Sequence, residues 1–133
     1  MVKIYLVDDD KDDQFFLEEA VKKVLPGCSI HVFYNGIKCL EALKDPDKPR
    51  IIFSDLNMPL VNGHQVVEKI KGSSVNKNIP VYIITTSVSE KDITKSMAVG
   101  ATGHYAKPAN SGDYKKIVEE ILAKEGLLTA ATK

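Results

Sequence analysis

The 133-residue sequence has no tryptophan, few aromatic residues, only two cysteines and no excess charge of either sign. Its 18 Lys and Arg residues balance its 18 Asp and Glu residues, so the formal net charge is zero. Without a basic field, the chain lacks the attraction that general nucleic-acid binding or binding to an anionic membrane surface requires. We therefore predict neither DNA binding nor membrane association.

The scarcity of cysteine and of long apolar runs bears on the compartment. Cys28 and Cys39 match no metal-ligand spacing and no disulfide framework, so we interpret them as buried thiols in a reducing compartment. The apolar stretch near the N-terminus, from Val2 to Val7, is too short for a signal peptide or a membrane span. These features predict a cytoplasmic protein.

Five short apolar runs alternate with segments of helical periodicity. The middle runs are apolar throughout, as in strands buried on both faces, so the pattern predicts an α/β fold with a doubly wound parallel sheet. The length suits one domain, over residues 1–125, with a flexible tail over residues 126–133. The predicted strands are Lys3 to Val7, Ser29 to Tyr34, Arg50 to Ser54, Val81 to Thr85 and Gly103 to Ala106.

Capping residues indicate where two of the helices begin. Ser87 precedes Glu90 by three residues, which predicts a capping box at the fourth helix. Asn110 or Ser111 is expected to cap the last helix, and Gly100 to end the fourth.

Polar residues follow the predicted strands at the points where they end. In a parallel sheet all carboxyl ends meet at one edge, which is where ligands bind. The direction of the strands therefore brings acids, a hydroxyl and an ammonium together. They are Asp8, Asp9 and Asp10 after the first strand, Asp55 after the third, Thr85 at the end of the fourth and Lys107 after the fifth.

The three acids Asp8, Asp9 and Asp55 would repel one another at this edge. Two carboxylates about 4 Å apart repel by roughly 4 kcal/mol at an effective dielectric of 20, so a cation is expected to join them. Oxygen ligands with room for water and phosphate suit Mg²⁺. A carboxylate can also attack phosphorus to form an aspartyl phosphate, a reaction that a metal, a lysine and a hydroxyl donor assist.

The stretches LVDDD, DLNMPLVNG, PVYIITTS and GATGHYAKPAN resemble the receiver domain of response regulators in two-component signalling. The likeness runs from about Lys3 to Lys124 and is to a single-domain regulator of the chemotaxis type. It implies a flavodoxin-like (βα)5 sheet with strand order 2-1-3-4-5. It also implies a phosphoacceptor switch that phosphorylates and dephosphorylates only itself, and is therefore not an enzyme.

The resemblance also implies roles for individual residues. Asp55 would be the phosphoacceptor, Thr85 would bond a phosphoryl oxygen, and Lys107 would pair first with the acids and then with the phosphoryl group. A cis peptide is implied before Pro108. The Mg²⁺ ligands would be Asp8, Asp9, Asp55 and the backbone carbonyl of Asn57.

A histidine kinase or a histidine phosphotransfer protein would supply the phosphoryl group. Because no effector segment is recognised after Lys124, output is expected through protein contact at the fourth helix, the fifth strand and the last helix. His104 stands where receiver domains usually carry a rotating Tyr or Phe, and Thr86 stands where they often have a small residue. These departures put the usual coupling of that rotation to phosphorylation in question. Tyr105, by strand alternation, is expected on the opposite face from His104.

Other interpretations account for parts of the pattern. A calcium loop beginning at Asp8 would need glycine where Asp13 stands, so we interpret Asp12 and Asp13 as first-turn acids favoured by the helix dipole and Asp10 as solvated. A haloacid dehalogenase-like aspartyl-phosphate phosphatase, the alternative function, would need a second Asp at Asn57.

Two further interpretations are weaker. A flavin module would meet three acids where its phosphate should bind. His31 and His64 are interpreted as packing or surface residues, since no partner spacing recurs.

Overall fold

The computed structural model describes residues 1–128, in which five strands alternate with five α-helices. The predicted order of elements is confirmed, with strand ends displaced by one residue at Tyr34 and Arg50. The elements are β1 (Lys3–Val7), α1 (Lys11–Val24), β2 (Ser29–Phe33), α2 (Gly36–Ala42), β3 (Ile51–Ser54), α3 (Gly63–Lys71), β4 (Val81–Thr85), α4 (Glu90–Val99), β5 (Gly103–Ala106) and α5 (Tyr114–Lys124).

The strands form one parallel sheet in the order β2-β1-β3-β4-β5, as expected. Every residue of β3 and β4 is buried, which explains why their sequences are apolar on both faces. The chain leaves β1 toward β2 on one side and returns to β3 on the other. This reversal opens a crevice at the carboxyl ends of β1 and β3.

Alternate residues of the strands belong to two separate cores. Leu6 and Phe53 face the layer of α1 and α5, together with Val21 and Val118. On the other face, Tyr5, Ile52 and Ile83 pack with Val67 of α3 and Cys39 of α2. Helix α4 is held more loosely: the one fully buried residue in it is Ser96, while Ile93 and Met97 remain partly exposed.

Two predicted helix starts differ from the structure. Ser89, not Ser87, caps α4 by accepting a hydrogen bond from the backbone N–H of Asp92. The Ser87 hydroxyl donates to the Asp92 side chain instead, so Ser87 stays in the loop after β4. Asn110 caps a short 3-10 turn (Ser111–Asp113), and α5 begins after it. Gly100 ends α4 as predicted, with a φ of 105°.

The expected cis peptide before Pro108 is absent, since residues 1–128 contain no cis bond. The trans form, which X–Pro bonds generally favour, is compatible with the hydrogen bond from Lys107 N–H to the Thr85 carbonyl that continues the β4–β5 pairing. Within the same residues, no helix has the length and apolar character needed to cross a bilayer.

The segment after α5 is described only in part. Leu127 and Leu128 pack against the core beneath α1 and α5, and Leu127 N–H donates to the Leu122 carbonyl. The rest of the predicted flexible tail, residues 129–133, lies outside the described residues.

Gly63, the first residue of α3, lies against the backbone that carries Asp55. A Cβ atom there would stand 2.4 Å from the Asp55 carbonyl oxygen and 2.9 Å from the Leu56 Cα. We expect Gly63→Ala to lower the free energy of unfolding by about 1–3 kcal/mol, because a close backbone contact must be forced apart. Denaturant unfolding measures the change. Gly112→Ala is the control, since its Cβ would meet nothing closer than 3.4 Å. Equal stability of the two variants would contradict the expectation.

Candidate functional site

The candidate site lies in the crevice at the carboxyl ends of β1 and β3. Backbone hydrogen bonds hold both of its buried acids as extensions of the sheet. Asp8 N–H donates to the Phe33 carbonyl at 3.0 Å, and Asp55 N–H donates to the Val7 carbonyl at 2.8 Å. The strand-to-loop transitions therefore place these side chains with little freedom.

Asp8, Asp9 and Asp55 come together as the sequence predicts. A carboxylate oxygen from each lies within 4.8 Å of the others. Asp8 and Asp55 are buried, whereas Asp9 is exposed. One oxygen of Asp55 accepts a hydrogen bond from Leu56 N–H at 2.8 Å. The cluster thus has two fixed, buried carboxylates and one at the solvent side.

The electrostatics of the cluster fit a divalent cation. Burial raises the pKa of Asp8 to about 6, although its hydrogen bond to Lys107 opposes the shift and the charge of Asp55 adds to it. Burial also raises the pKa of Asp55, against the charge of Lys107 and a hydrogen bond from Thr85. Burial therefore disfavours the charged form of both carboxylates, a cost that a bound cation would offset, and hard oxygen donors in this number suit Mg²⁺ or a similar ion.

Lys107 connects the acids from the other side. Its Nζ lies 2.8 Å from Asp8 Oδ2 and 3.5 Å from Asp55 Oδ2, the pairing expected from the sequence. It also lies 2.7 Å from Asp13 Oδ2. Burial alone would lower the pKa of Lys107, but the hydrogen bonds to Asp13 and Asp8 raise it above its ordinary value. The ammonium is therefore firmly charged.

Asp13 is a site residue that the sequence interpretation missed. It lies in the first turn of α1, where we expected only an interaction with the helix dipole. Its position four residues before Leu17 and eight before Val21 puts it on the buried stripe of that helix, which Asp12 does not share. That spacing is the signal that could have identified it. Asp10 is exposed, as expected, and caps α1 by accepting from Asp13 N–H.

Thr85 is completely buried next to this set. Its hydroxyl oxygen accepts a hydrogen bond from Ser87 N–H at 3.3 Å, and its side chain opposes the rise in the pKa of Asp55. Its carbonyl accepts from Lys107 N–H at 2.8 Å. Asn57 lies in the loop two residues after Asp55 and is exposed. Thr85 is thus within the site, while Asn57 lies at its outer side.

A chain of hydrogen bonds joins three elements behind β4. His104 on β5 bonds the Ser96 hydroxyl through Nδ1 and donates from Nε2 to the Ser87 carbonyl, both at 2.8 Å. Ser96 in turn contacts Nε2 of His64 at 2.8 Å. Because a carbonyl only accepts, a neutral His104 takes its second bond from Ser96, and Ser96 then accepts from His64. Burial lowers the pKa of His64, which favours the neutral form of the His64 imidazole itself.

These hydrogen bonds are not expected from the sequence, in which His64 is interpreted only as a packing or surface residue. His64 is a buried packing residue, as one of the two alternatives had it, but with a specific partner. Ser96 had no signal in the sequence, because a small polar residue in a helix usually faces water. Tyr105 packs against Tyr82 on the opposite face of the sheet from His104, as strand alternation predicted.

The geometry defines an acidic pocket opposite a lysine at the switch point of a doubly wound sheet, and comparison with known proteins agrees with it. The family described as "Response regulator receiver domain" matches residues 4–119. The chain therefore belongs to the response regulator receiver domains, the signalling switches of two-component systems. The haloacid dehalogenase alternative has no support.

Individual relatives and structures are consistent with this assignment. The chain is 38% identical to the probable methanogenesis regulatory protein FilR2 of Methanothrix harundinacea, covering 89% of this chain and 79% of that protein. The phosphorylated cyanobacterial phytochrome response regulator RcpA superposes with a TM-score of 0.85 at 29% identity, over 91% of each chain. The Mn²⁺-bound form of response regulator Rcp1 gives 0.84 at 27% identity, over 97% and 98%.

Coverage of the relatives is uneven. The chain spans 57%, 79% and 84% of the lengths of three curated relatives that it matches.

Asp8 should make the metal-free protein more stable as the pH falls. Its pKa is about 6 in the folded state against an ordinary 3.8, so folding favours the protonated form. The stabilisation is complete below the lower value and is lost as the pH rises through the higher one. We expect the free energy of unfolding to increase by up to about 1 kcal/mol per pH unit on acidification through this window.

Denaturant unfolding at several pH values, without metal, measures this effect against Asp8→Asn as the control. Because His64 has a lowered pKa, it makes the free energy of unfolding fall on acidification, but it does so equally in both proteins. The wild type should therefore gain stability relative to the variant as the pH falls. Parallel pH profiles for the two proteins would show that Asp8 is not the source.

Proposed function

We propose that Asp55 accepts a phosphoryl group from a phosphohistidine of a histidine kinase or of a histidine phosphotransfer protein. The observation that carries the proposal is the burial of Asp55 between a lysine ammonium 3.5 Å away and two further acids within 4.8 Å. An anionic nucleophile that attacks an anionic group needs positive charge beside it, which the Lys107 ammonium supplies and which the two further acids would supply by holding a cation.

The reaction balances on this chain's own carboxylate. An oxygen of Asp55 forms the new bond to phosphorus, the P–N bond of the phosphohistidine breaks, and the imidazole leaves with the electron pair and takes a proton from solvent. Asp8, Asp9, Asp55 and the backbone carbonyl of Asn57 would hold Mg²⁺. When bound, Mg²⁺ supplies neutralising charge for the acids and the phosphoryl oxygens.

Two residues would then bind the phosphoryl group directly. The Lys107 ammonium, now shared among carboxylates, moves to a phosphoryl oxygen once Asp55 carries the new charge. The Thr85 hydroxyl donates to a second oxygen, because its own oxygen already accepts from Ser87 N–H. Both residues lie at strand ends that the sheet holds in place.

Such a protein is a switch that is phosphorylated on its own aspartate, and it does not act as an enzyme on a separate substrate. A phosphatase of the dehalogenase type would use a second aspartic acid two residues after its nucleophile as general acid. That position is Asn57, whose amide cannot fill that role. The phosphoryl group is therefore lost by hydrolysis or is passed on in a relay.

We place the output at the surface of α4, β5 and α5, in a cytoplasmic setting and through contact with a downstream protein. Helix α4 is suited to this role because it has one fully buried residue in the described structure and presents Ile93 and Met97 partly exposed. A loosely packed helix is easier to displace. The balanced charge of the sequence gives no net positive field that would attract DNA.

The first test is phosphorylation itself. Incubation with Mg²⁺ and a small-molecule phosphodonor should add one phosphoryl group to the wild type, and peptide mapping should find it on Asp55. Asp55→Ala should remain unmodified, and wild type treated in the presence of a chelator should be modified far more slowly. Equal labelling of Asp55→Ala would refute the assignment.

The second test concerns the output surface. Taking a two-state element from 1:99 to 99:1 needs about 5.5 kcal/mol, and one hydrogen bond to a charged group contributes about 1.5–3 kcal/mol. Thr85 alone is therefore insufficient, and the bond from His104 to the Ser87 carbonyl resists movement of the loop. We expect a modest loss of amide protection in Ser87 to Tyr105 on adding a phosphoryl mimic.

Hydrogen exchange measures this change, with Asp55→Ala as the unresponsive control. Ser96→Ala removes the hydroxyl that joins His64 to His104 and should enlarge the response. Changes limited to the loop around Asp55, in both wild type and Ser96→Ala, would place the output on another surface.

A further inference from the structure

The Lys107 ammonium lies nearer to Asp13 than to the proposed phosphoacceptor. Its Nζ is 2.7 Å from Asp13 Oδ2 but 3.5 Å from Asp55 Oδ2, with Asp8 Oδ2 at 2.8 Å. The Lys107 side chain is only 8% exposed. Its contacts therefore fix the position of the Lys107 ammonium in the unphosphorylated protein.

We propose that Asp13 is a positioning residue that draws Lys107 away from Asp55 and so keeps the acidic cluster open to a divalent cation. The inference rests on the proposed function, because it concerns the same metal site. It adds a residue from α1 that acts through Lys107 and contacts neither the phosphoryl group nor the cation.

The physical basis is competition between two positive charges. Lys107 pairs with Asp8 and Asp55, two of the three acids that would hold the cation. A cation at those acids repels the ammonium, which then needs another anion within reach. Asp13 provides it without a rearrangement, since the hydrogen bond between Asp13 and Lys107 already exists. An ammonium has three donors, so it can give up one carboxylate and keep Asp13.

Asp13 is held in place by contacts other than its hydrogen bond with Lys107. Its backbone N–H donates to the capping side chain of Asp10 at 3.0 Å. Tyr114, buried at the start of α5, lines the same small cavity as Asp13 and Lys107. Burial raises the pKa of Tyr114, and the charge of Asp13 and a hydrogen bond with it raise it further. The packing of α1 on α5 therefore fixes the anion that receives Lys107.

Asp12 offers a matched control within the same helical turn. It is exposed and forms no ion pair in the described part of the chain, yet it carries the same charge at nearly the same position along the helix. Replacing either residue by asparagine removes one negative charge from the first turn of α1. A difference in Mg²⁺ affinity between the two variants therefore reports the contact with Lys107 and not the loss of one negative charge near the site.

The experiment is titration of Mg²⁺ into the 133-residue protein by calorimetry, without any phosphodonor. We expect Asp13→Asn to bind Mg²⁺ about tenfold more weakly than Asp12→Asn, the size of effect that one hydrogen bond to a charged group produces. Asp13→Glu keeps the charge on a longer side chain and should restore most of the affinity. Circular dichroism confirms that each variant is folded, and Asp13→Ser replaces Asp13→Asn if the latter is not.

A double-mutant cycle tests whether the effect passes through Lys107. In a Lys107→Gln background, the difference between Asp13→Asn and Asp12→Asn should disappear, because no ammonium remains to be positioned. Persistence of the difference would overturn the inference, and so would equal affinities of the two single variants.

Asp9→Asn separates this inference from the proposed function. If Asp9→Asn weakens Mg²⁺ binding while Asp13→Asn behaves like Asp12→Asn, the metal site is supported and the positioning role of Asp13 is refuted. If the wild type binds no Mg²⁺, or Asp9→Asn leaves its affinity unchanged, the proposed metal site itself is wrong and the inference falls with it.

Discussion

The buried ammonium of Lys107 is the interaction on which the carboxyl edge of the sheet depends. It is the shared counterion of acids that arrive from β1, from α1 and from the end of β3. Removing one partner of a buried ion pair typically costs 3–5 kcal/mol, because the remaining charge is left uncompensated. The same ammonium is what a phosphoryl group would attract, so the stability of the resting site and its response to phosphorylation have a common source.

The two cores keep that site rigid while one side of the molecule stays deformable. Strands β3 and β4 are buried along their whole length and lead directly to Asp55 and Thr85. Gly63 brings the start of α3 against the Asp55 backbone, which limits how far that loop can move. Helix α4 is anchored less tightly: within the described residues its one fully buried side chain is Ser96, which contacts His64 and His104. A change at Thr85 therefore has most freedom to spread toward α4.

The hydrogen bonds of His104 limit how far α4 and the loop after β4 can move in this receiver domain. An aromatic ring without ring nitrogens could rotate at this position without breaking a hydrogen bond, whereas His104 is bonded at both nitrogens, to Ser96 and to the Ser87 carbonyl. Moving it deprives the buried Ser96 hydroxyl and the partly buried Ser87 carbonyl of this partner, and an unpaired buried polar group costs about 1–3 kcal/mol. This cost is the physical reason for expecting a modest conformational response.

Local chemistry in the sequence determined the alternation of strands and helices and the grouping of Asp8, Asp9, Asp55, Thr85 and Lys107. Apolar runs without alternation require a sheet covered on both faces, and parallel strands place their carboxyl ends at one edge whatever the details of packing. The family resemblance added the strand order, which periodicity does not contain.

Only the tertiary structure decided the contacts between side chains from distant segments. Asp13 meets Lys107 across 94 positions of sequence, and His64 meets Ser96 across 32, at distances that depend on how α1, α3 and α4 are rotated against the sheet. Small differences in loop geometry likewise chose Ser89 over Ser87 as the cap of α4. The sequence thus determined which groups reach the edge of the sheet, whereas packing decided which of them touch, because a hydrogen bond requires a precision of less than an ångström that no residue pattern specifies.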